Sequence, residues 1–185
     1  VAHKLAEIDN IRCAIFQEYF PHPFCSVLVN GCIENGKDSV GWGIDGSARM
    51  LFTGMTNVAN SFAAIKKLVF DDKTITMAKL IEACKINFEG MEELRQTLIN
   101  KAPKYGNDDD YVDALTSEVH VRTSEKVMES AKDFWGYPFY LDASIAGGYF
   151  STSILTGAIP DGKKDGEPTS DASHSPSAGT DRKGP

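Results

Sequence analysis

The sequence predicts an α/β fold, mostly helical with about two strands, and three observations carry that prediction. Two stretches, 44–52 and 139–145, alternate polar and apolar residues with the period of a strand. Around and between them, apolar residues recur every three to four positions, the period of a helix. Strands separated by several helices imply an α/β arrangement. Two strands are too few to close a sheet, so the chain is expected to be incomplete or to lend its strands to a sheet completed elsewhere.

Taken in order, Leu5, Ile8, Ile11 and Ile15 mark a helix over about 3–18, stopped by Pro21 and Pro23 because proline removes a backbone donor. A second helix is expected from Phe24 to Ile33, ending near Gly36. In the first strand Ile44, Gly46, Ala48, Met50 and Phe52 fall on one side and Asp45, Ser47, Arg49 and Leu51 on the other. Phe62, Ile65, Leu68 and Val69 return to helical spacing, with Asn57 or Asn60 as the expected cap. Met77, Leu80, Ile81 and Cys84 give another helix, and Met91, Leu94 and Leu98 a short one ended by Pro103. Gly106 and Asn107 form a turn. Asp108 to Asp110 then put negative charge at the start of a helix running to about Phe134, with a break near Thr123. The second strand opposes Phe139, Leu141, Ala143 and Ile145 to Tyr140, Asp142, Ser144 and Ala146.

Composition excludes some function classes. A net charge of −7 and a pI near 5.1 argue against a nucleic-acid or anionic-membrane surface. No apolar run approaches the roughly 20 residues that span a bilayer. Cys13, Cys25, Cys32 and Cys84 are scattered, without a paired motif, and read as reduced, mostly buried thiols of a cytoplasmic protein. His3, His22, His120 and His174 share no metal-ligand spacing, so no metal site is expected. No glycine-rich phosphate loop precedes a helix, and Lys66 with Lys67 reads as a solvated helix face.

By composition the segment 156–185 is a disordered tail, crowded with Gly, Pro, Ser, Asp and Lys. Its wording is more specific: GAIPDGKKDGEP at 157–168, then DASHSPSAGTDRKGP at 171–185. Together with Pro23-Phe24 and GCIENGKD at 31–38, NVANSFAAIKKLVF at 57–70 and APKYGNDDDYVD at 102–113, it resembles the glycyl radical enzymes in matching order. The branch resembled is the pyruvate formate-lyase-like one that holds glycerol dehydratase, choline trimethylamine-lyase, the arylacetate decarboxylases and the X-succinate synthases. The resemblance covers about residue 20 to the end. It makes 1–185 a partial pyruvate formate-lyase-like domain, truncated at both ends, with 156–185 an extended loop segment rather than a tail.

What the resemblance implies is a barrel of ten strands wrapped in helices, to which this chain would give two strands. A loop glycine radical would take hydrogen from a loop cysteine, and the thiyl so formed would attack a small organic substrate and cleave or form a C–C or C–heteroatom bond. A separate activating enzyme with an iron–sulfur cluster and S-adenosylmethionine would install the radical, leaving no bound organic cofactor. The enzyme would work in anaerobic metabolism, with the small-molecule substrate and the activating enzyme as partners and a homodimer allowed.

Two segments imitate the radical residues. Gly31-Cys32-Ile33-Glu34 looks like the catalytic Cys-x-Glu, yet follows an apolar run and precedes Asn35-Gly36-Lys37-Asp38, matching a downstream helix of the family. Ala146-Gly147-Gly148-Tyr149 echoes the radical loop but lacks its arginine and reads as the end of a strand. No catalytic residue is therefore expected in this chain, the thiyl cysteine being expected upstream and the radical glycine downstream, and alone the chain should be inactive. The substrate-binding candidates are the polar strand faces: Asp45, Ser47 and Arg49 on the first, Asp142 and Ser144 on the second. A guanidinium such as Arg49 would pair with a substrate carboxylate, or with Asp45 or Asp142 to hold the barrel together. Subfamily signals diverge: Asn60-Ser61-Phe62 with Asp71-Asp72-Lys73 leans towards the arylacetate decarboxylases, and Arg49 suits the fumarate-adding X-succinate synthases. The rival of another class is a non-catalytic helical scaffold domain with a floppy tail, which a tail packed on the chain would disfavour. A degenerate paralogue that carries no radical is a second rival.

Overall fold

A computed structural model describes residues 1–40, 49–133, 136–142, 154–171 and 174–184. The chain divides into two compact units, 1–50 with 122–142 and 51–121 with 143–185.

In the first unit, α1 (Ala2–Tyr19) is the expected helix. The predicted second helix is broken in two, α2 (Pro23–Leu28) and α3 (Cys32–Asn35). Gly31 stands between them at φ 87°, a left-handed conformation that cannot continue a helix, and Gly36 closes α3 at φ 59°. Strand β1 (Arg49–Leu51) pairs with β2 (Tyr140–Asp142). Of the two predicted strands, 44–48 and 143–146 lie outside the described residues, and Phe52 and Phe139 flank the short strands without joining them. Alternation holds where it can be followed: Met50 and Leu141 pack against a small core of Ala6, Val127, Ala131 and Phe139, while Arg49 and Tyr140 are exposed.

The second unit is built on α4 (Met55–Ala64), α5 (Met77–Lys85), α6 (Glu92–Lys101) and the start of α7 (Asp110–Ser130). Its core joins Leu68, Leu80, Phe88, Leu94 and Leu98. Helix α5 is capped by Thr76, whose hydroxyl accepts from the Lys79 N–H at 3.2 Å. Asp109 caps α7 as the charge run predicted, accepting from Tyr111 N and Val112 N at 3.2 and 3.3 Å. The predicted break near Thr123 is absent and α7 runs unbroken to Ser130, because a single threonine is a weak helix opponent.

Beyond Ala64 the helix widens into a π-helical stretch, Ile65–Asp71. Asp72 N–H reaches back five residues to Lys67 O at 2.8 Å. That pitch explains the charge pattern KKLVFDD: Lys66–Asp71 (2.6 Å) and Lys67–Asp72 (3.2 Å) are pairs five apart, which an ordinary α-turn would not align. The two lysines are thus paired rather than simply solvated. Among the cysteines, Cys13 and Cys32 are buried, Cys84 is half-buried and Cys25 is the exposed one, and none of the four is in a disulfide. No helix among the described residues is long and apolar enough to cross a membrane.

Candidate functional site

Of the predicted substrate residues, the structure brings two together. The Arg49 Nη1 lies 3.7 Å from the Asp142 Oδ2 across the β1–β2 pair. Arg49 is largely open and Asp142 half-buried, so the contact is a loose ion pair of the weak, exposed kind. Asp45, Ser47 and Ser144 lie outside the described residues, as do Gly147 and Gly148. The Gly31–Glu34 imitation fails on geometry. Cys32 is buried as the first residue of α3 and Glu34 follows two positions later in the same helix, where residues two apart do not face each other.

The second unit holds a buried polar arrangement that the sequence reading missed. The sequence predicts Asn57 or Asn60 as the cap of α4, but the helix starts earlier, at Met55 behind Gly54. Both asparagines are instead interior and buried. Asn57 Nδ2 donates to Asp161 Oδ2 at 2.5 Å, and Asn57 Oδ1 accepts from the Ser170 N–H at 2.6 Å. Asn60 Oδ1 accepts from Tyr105 N at 2.8 Å, and Thr56 Oγ1 donates to Ser175 O at 3.1 Å. Helix α4 thereby holds the segment after residue 156 at the Asp161 carboxylate and the Ser170 and Ser175 backbone, and the turn after α6 at Tyr105.

The turn after α6 does the same from the other side. Asn107 Nδ2 donates to Lys104 O and Thr180 O at 3.1 and 2.7 Å. Its Oδ1 accepts from Arg182 N and Lys183 N at 2.8 and 3.0 Å. Arg95 adds a third hold, with Nε on Gly162 O at 2.8 Å and Nη2 on Glu167 at 2.9 and 3.1 Å. Glu92, gripped first by Gln96 and then by Lys164 and Arg95, has its carboxyl lowered to about 2. The segments that looked like separate family blocks, 57–70, 102–113 and 157–185, are thus bonded to one another. The described part of the tail is packed backbone, and the scaffold-with-floppy-tail alternative loses its main feature.

Two ionisable groups sit at the centre. Burial pushes the Asp161 carboxyl up, opposed by the Asn57 hydrogen bond, the Lys104 charge and the Lys163 N–H. Burial also lowers Lys104 to about 8 from 10.5, with the nearby Asp161 charge acting against the shift. Lys104 Nζ donates to the backbone carbonyl of Asp161 at 2.8 Å, not to its carboxylate. Because the folded pKa of Lys104 is depressed, the unfolded chain binds more protons between pH 8 and 10.5. Stability contributed by this group therefore rises with pH across that window. Urea unfolding should show a gain of about 1–3 kcal/mol over that range, and Lys104→Met should lose the gain; parallel curves for the two proteins would refute the assignment.

His120, which had no partner in sequence, meets the His174 ring at 4.7 Å between centroids, edge to face. Burial first and then His174 lower its pKa. No group of three or more His, Cys, Asp or Glu side chains able to hold a metal ion occurs among the described residues.

The fold matches solved structures closely over nearly its whole length. With the Roseburia inulinivorans structure for 1,2-propanediol dehydration the TM-score is 0.83 at 30% identity, covering 97% of this chain and 23% of that one. With the glycerol-bound B12-independent glycerol dehydratase of Clostridium butyricum it is 0.79 at 33% identity, covering 94% and 22%. A glycyl radical enzyme from Archaeoglobus fulgidus gives 0.82 at 31% identity over 96% and 22%. The architecture is therefore part of a glycyl radical enzyme barrel. In sequence, the chain is 36% identical to the probable dehydratase YbiW of Escherichia coli K12 over 98% of its length. It is 35% identical to the trans-4-hydroxy-L-proline dehydratase of Clostridioides difficile over 97%. The pattern of the pyruvate formate lyase-like family matches residues 1–156, and the chain belongs to that family. It spans 23% and 22% of the lengths of those two relatives.

Proposed function

We propose that this chain forms part of a glycyl radical enzyme that performs thiyl-radical lyase chemistry on a small organic substrate. The observation that carries the reading is the agreement in both sequence and fold over almost the whole chain with dehydratases of this family. In such chemistry a cysteine thiyl radical takes a hydrogen atom from a substrate carbon, a neighbouring bond breaks or forms, and the hydrogen atom is returned to the product radical. No residue of this chain is given the thiyl or radical role. A separate activating enzyme, a cytoplasmic location and a homodimer go with the same reading.

The chain's own contribution is to bind and orient. The polar side of β1 and β2 faces the substrate, with Arg49 and Asp142 its described members and Asp45, Ser47 and Ser144 the further candidates. Asp142 holds the guanidinium loosely at 3.7 Å, which leaves Arg49 donors free for an anionic substrate group. Among the relatives are an indoleacetate decarboxylase and isethionate sulfite-lyases, whose named substrates are anionic.

The test is electron spin resonance on the polypeptide containing the whole barrel, treated anaerobically with an activating enzyme. An organic radical signal is expected there and none from the 185 residues alone. Absence of a signal, with a related enzyme activated in parallel, would sink the reading. In the active enzyme Arg49→Ala should lower kcat/KM for an anionic substrate about 10- to 100-fold, the value of one charge-assisted hydrogen bond, while radical yield stays unchanged.

A further inference from the structure

Where the end of α6, the turn after it and the last described residues meet, the second unit holds a cleft of about 510 Å³. Four cations on its wall, Lys101, Lys104, Arg182 and Lys183, form no ion pair among the described residues. Two of them bond to neutral acceptors instead. Arg182 Nη1 donates to Asn100 Oδ1 at 2.8 Å and its Nε to Gly179 O at 3.4 Å, while Lys104 Nζ donates to Asp161 O at 2.8 Å. Such bonds satisfy donors without cancelling charge. Lys104 is only 7% exposed, so one of the four charges is buried with no carboxylate at ion-pair distance, which is unfavourable until an anion supplies one. A further lining cation, Lys67, is matched by Asp72. The lining carboxylates are Asp108 and Asp109, and Asp109 is engaged by the Tyr111 and Val112 N–H groups at the start of α7.

In a chain of net charge −7 this concentration of positive charge in one concavity is a local exception, and a cleft lined by one sign of charge focuses the field. The neutral side chains of the wall are already in use. Asn107 bonds through both ends of its amide, Thr180 Oγ1 donates to Ser177 O, and Asn100 Nδ2 donates to Gln96. The donors left open therefore belong to three ammonium groups and one guanidinium, each with several N–H bonds. They fit an anion with many oxygens. Lysines among the four favour phosphate over carboxylate, because an ammonium binds phosphate as a point charge whereas a carboxylate is matched best by a guanidinium fork. We propose that this cleft binds an oligophosphate, as free pyrophosphate or as the diphosphate end of a nucleotide. The bound anion would bridge Lys101 and Lys104 on one side to Arg182 and Lys183 of the tail on the other, adding to the hold that Asn107 makes between the same two segments.

The experiment is calorimetric titration of pyrophosphate into the polypeptide carrying the whole barrel, where saturable binding that weakens with added salt is expected. Lys101 and Lys183 are exposed, so Lys101→Gln with Lys183→Gln should leave the ligand-free unfolding midpoint unchanged. The same pair should weaken pyrophosphate at least about tenfold, the loss of two charge-assisted hydrogen bonds. Lys79→Gln with Lys85→Gln removes equal charge from α5, away from the cleft lining, and should leave the affinity as it was. ADP in place of pyrophosphate separates the two sources: tighter binding assigns the nucleotide and weaker binding the free anion, and either supports the site. Three results would overturn the proposal: no saturable binding, as when an acidic segment of the polypeptide already fills the cleft; citrate binding as tightly as pyrophosphate; or equal losses in the two double variants. None of these readouts needs a radical, so they succeed or fail separately from the proposed chemistry.

Discussion

Asn57→Ala is expected to destabilise the second unit by about 3–5 kcal/mol and to loosen the segment after residue 156. The asparagine is buried and both halves of its amide are in use, on the Asp161 carboxylate and the Ser170 N–H. Alanine would leave each partner buried without its bond, and a stranded buried group costs about 1–3 kcal/mol, more when charged. Asp161 is the charged one. Its pKa is already raised by burial, and Asn57 is the first of the influences that pull it back. Without Asn57 it should rise further, so the penalty is largest above the folded pKa, where the carboxylate must stay ionised, and shrinks as acid protonates it. Urea unfolding near neutrality measures the loss, and trypsin cleavage at Lys163 and Lys164 measures the release of the segment. Asn57→Asp is the sharper control, because it keeps the shape but sets a second carboxylate against Asp161, and it should be at least as harmful. A cost under about 1 kcal/mol for both would show that the segment is held elsewhere.

Much of this arrangement is legible in the sequence. Periodicity placed α5, α6 and α7, because the apolar spacing there answers to a local core, and it placed the described parts of both strands, 49–51 and 140–142. It failed at Gly31, where apolar residues continue on both sides of a backbone that turns left-handed. It also misled at α1: Leu5, Ile8, Ile11 and Ile15 do mark a helix, but their stripe is the exposed one. Periodicity reports that a face is apolar, not which layer covers it.

The asparagines show the other limit. Asn in a helix interior is unfavourable, since its side chain competes for backbone, so the sequence points to Asn57 or Asn60 as a cap, the usual reason for asparagine near a helix start. The backbone they bind is more than 100 residues away for Asn57 and 45 away for Asn60. Local pattern cannot express such a partner. The signal that could have found it was the pairing of interior asparagines with a tail too specific in wording to be filler. Arg49 and Asp142 were legible for the opposite reason: strand alternation assigns a face by counting, and the pair at 3.7 Å follows.

Gly106→Ala should cost about 2–5 kcal/mol, and two causes can be separated by experiment. The residue sits at φ +89°, where a side chain is penalised by about 1–2 kcal/mol. A Cβ there would also overlap the Pro176 Cγ and lie 2.9 Å from its Cβ. A proline ring has no rotamer by which to step aside, so the clash must move backbone, an overpacking cost of about 1–3 kcal/mol. Both residues belong to the mutual hold between the turn 102–113 and the tail, so the displacement acts on the Asn107 bonds to Thr180, Arg182 and Lys183. Shortening the obstacle with Pro176→Ala in the same protein should recover at least about 1 kcal/mol, leaving the dihedral penalty behind. Thermal unfolding of the two single variants and the double variant measures this coupling. Simple additivity would mean that the tail already yields at Pro176, and that Gly106 is required for its backbone angle alone.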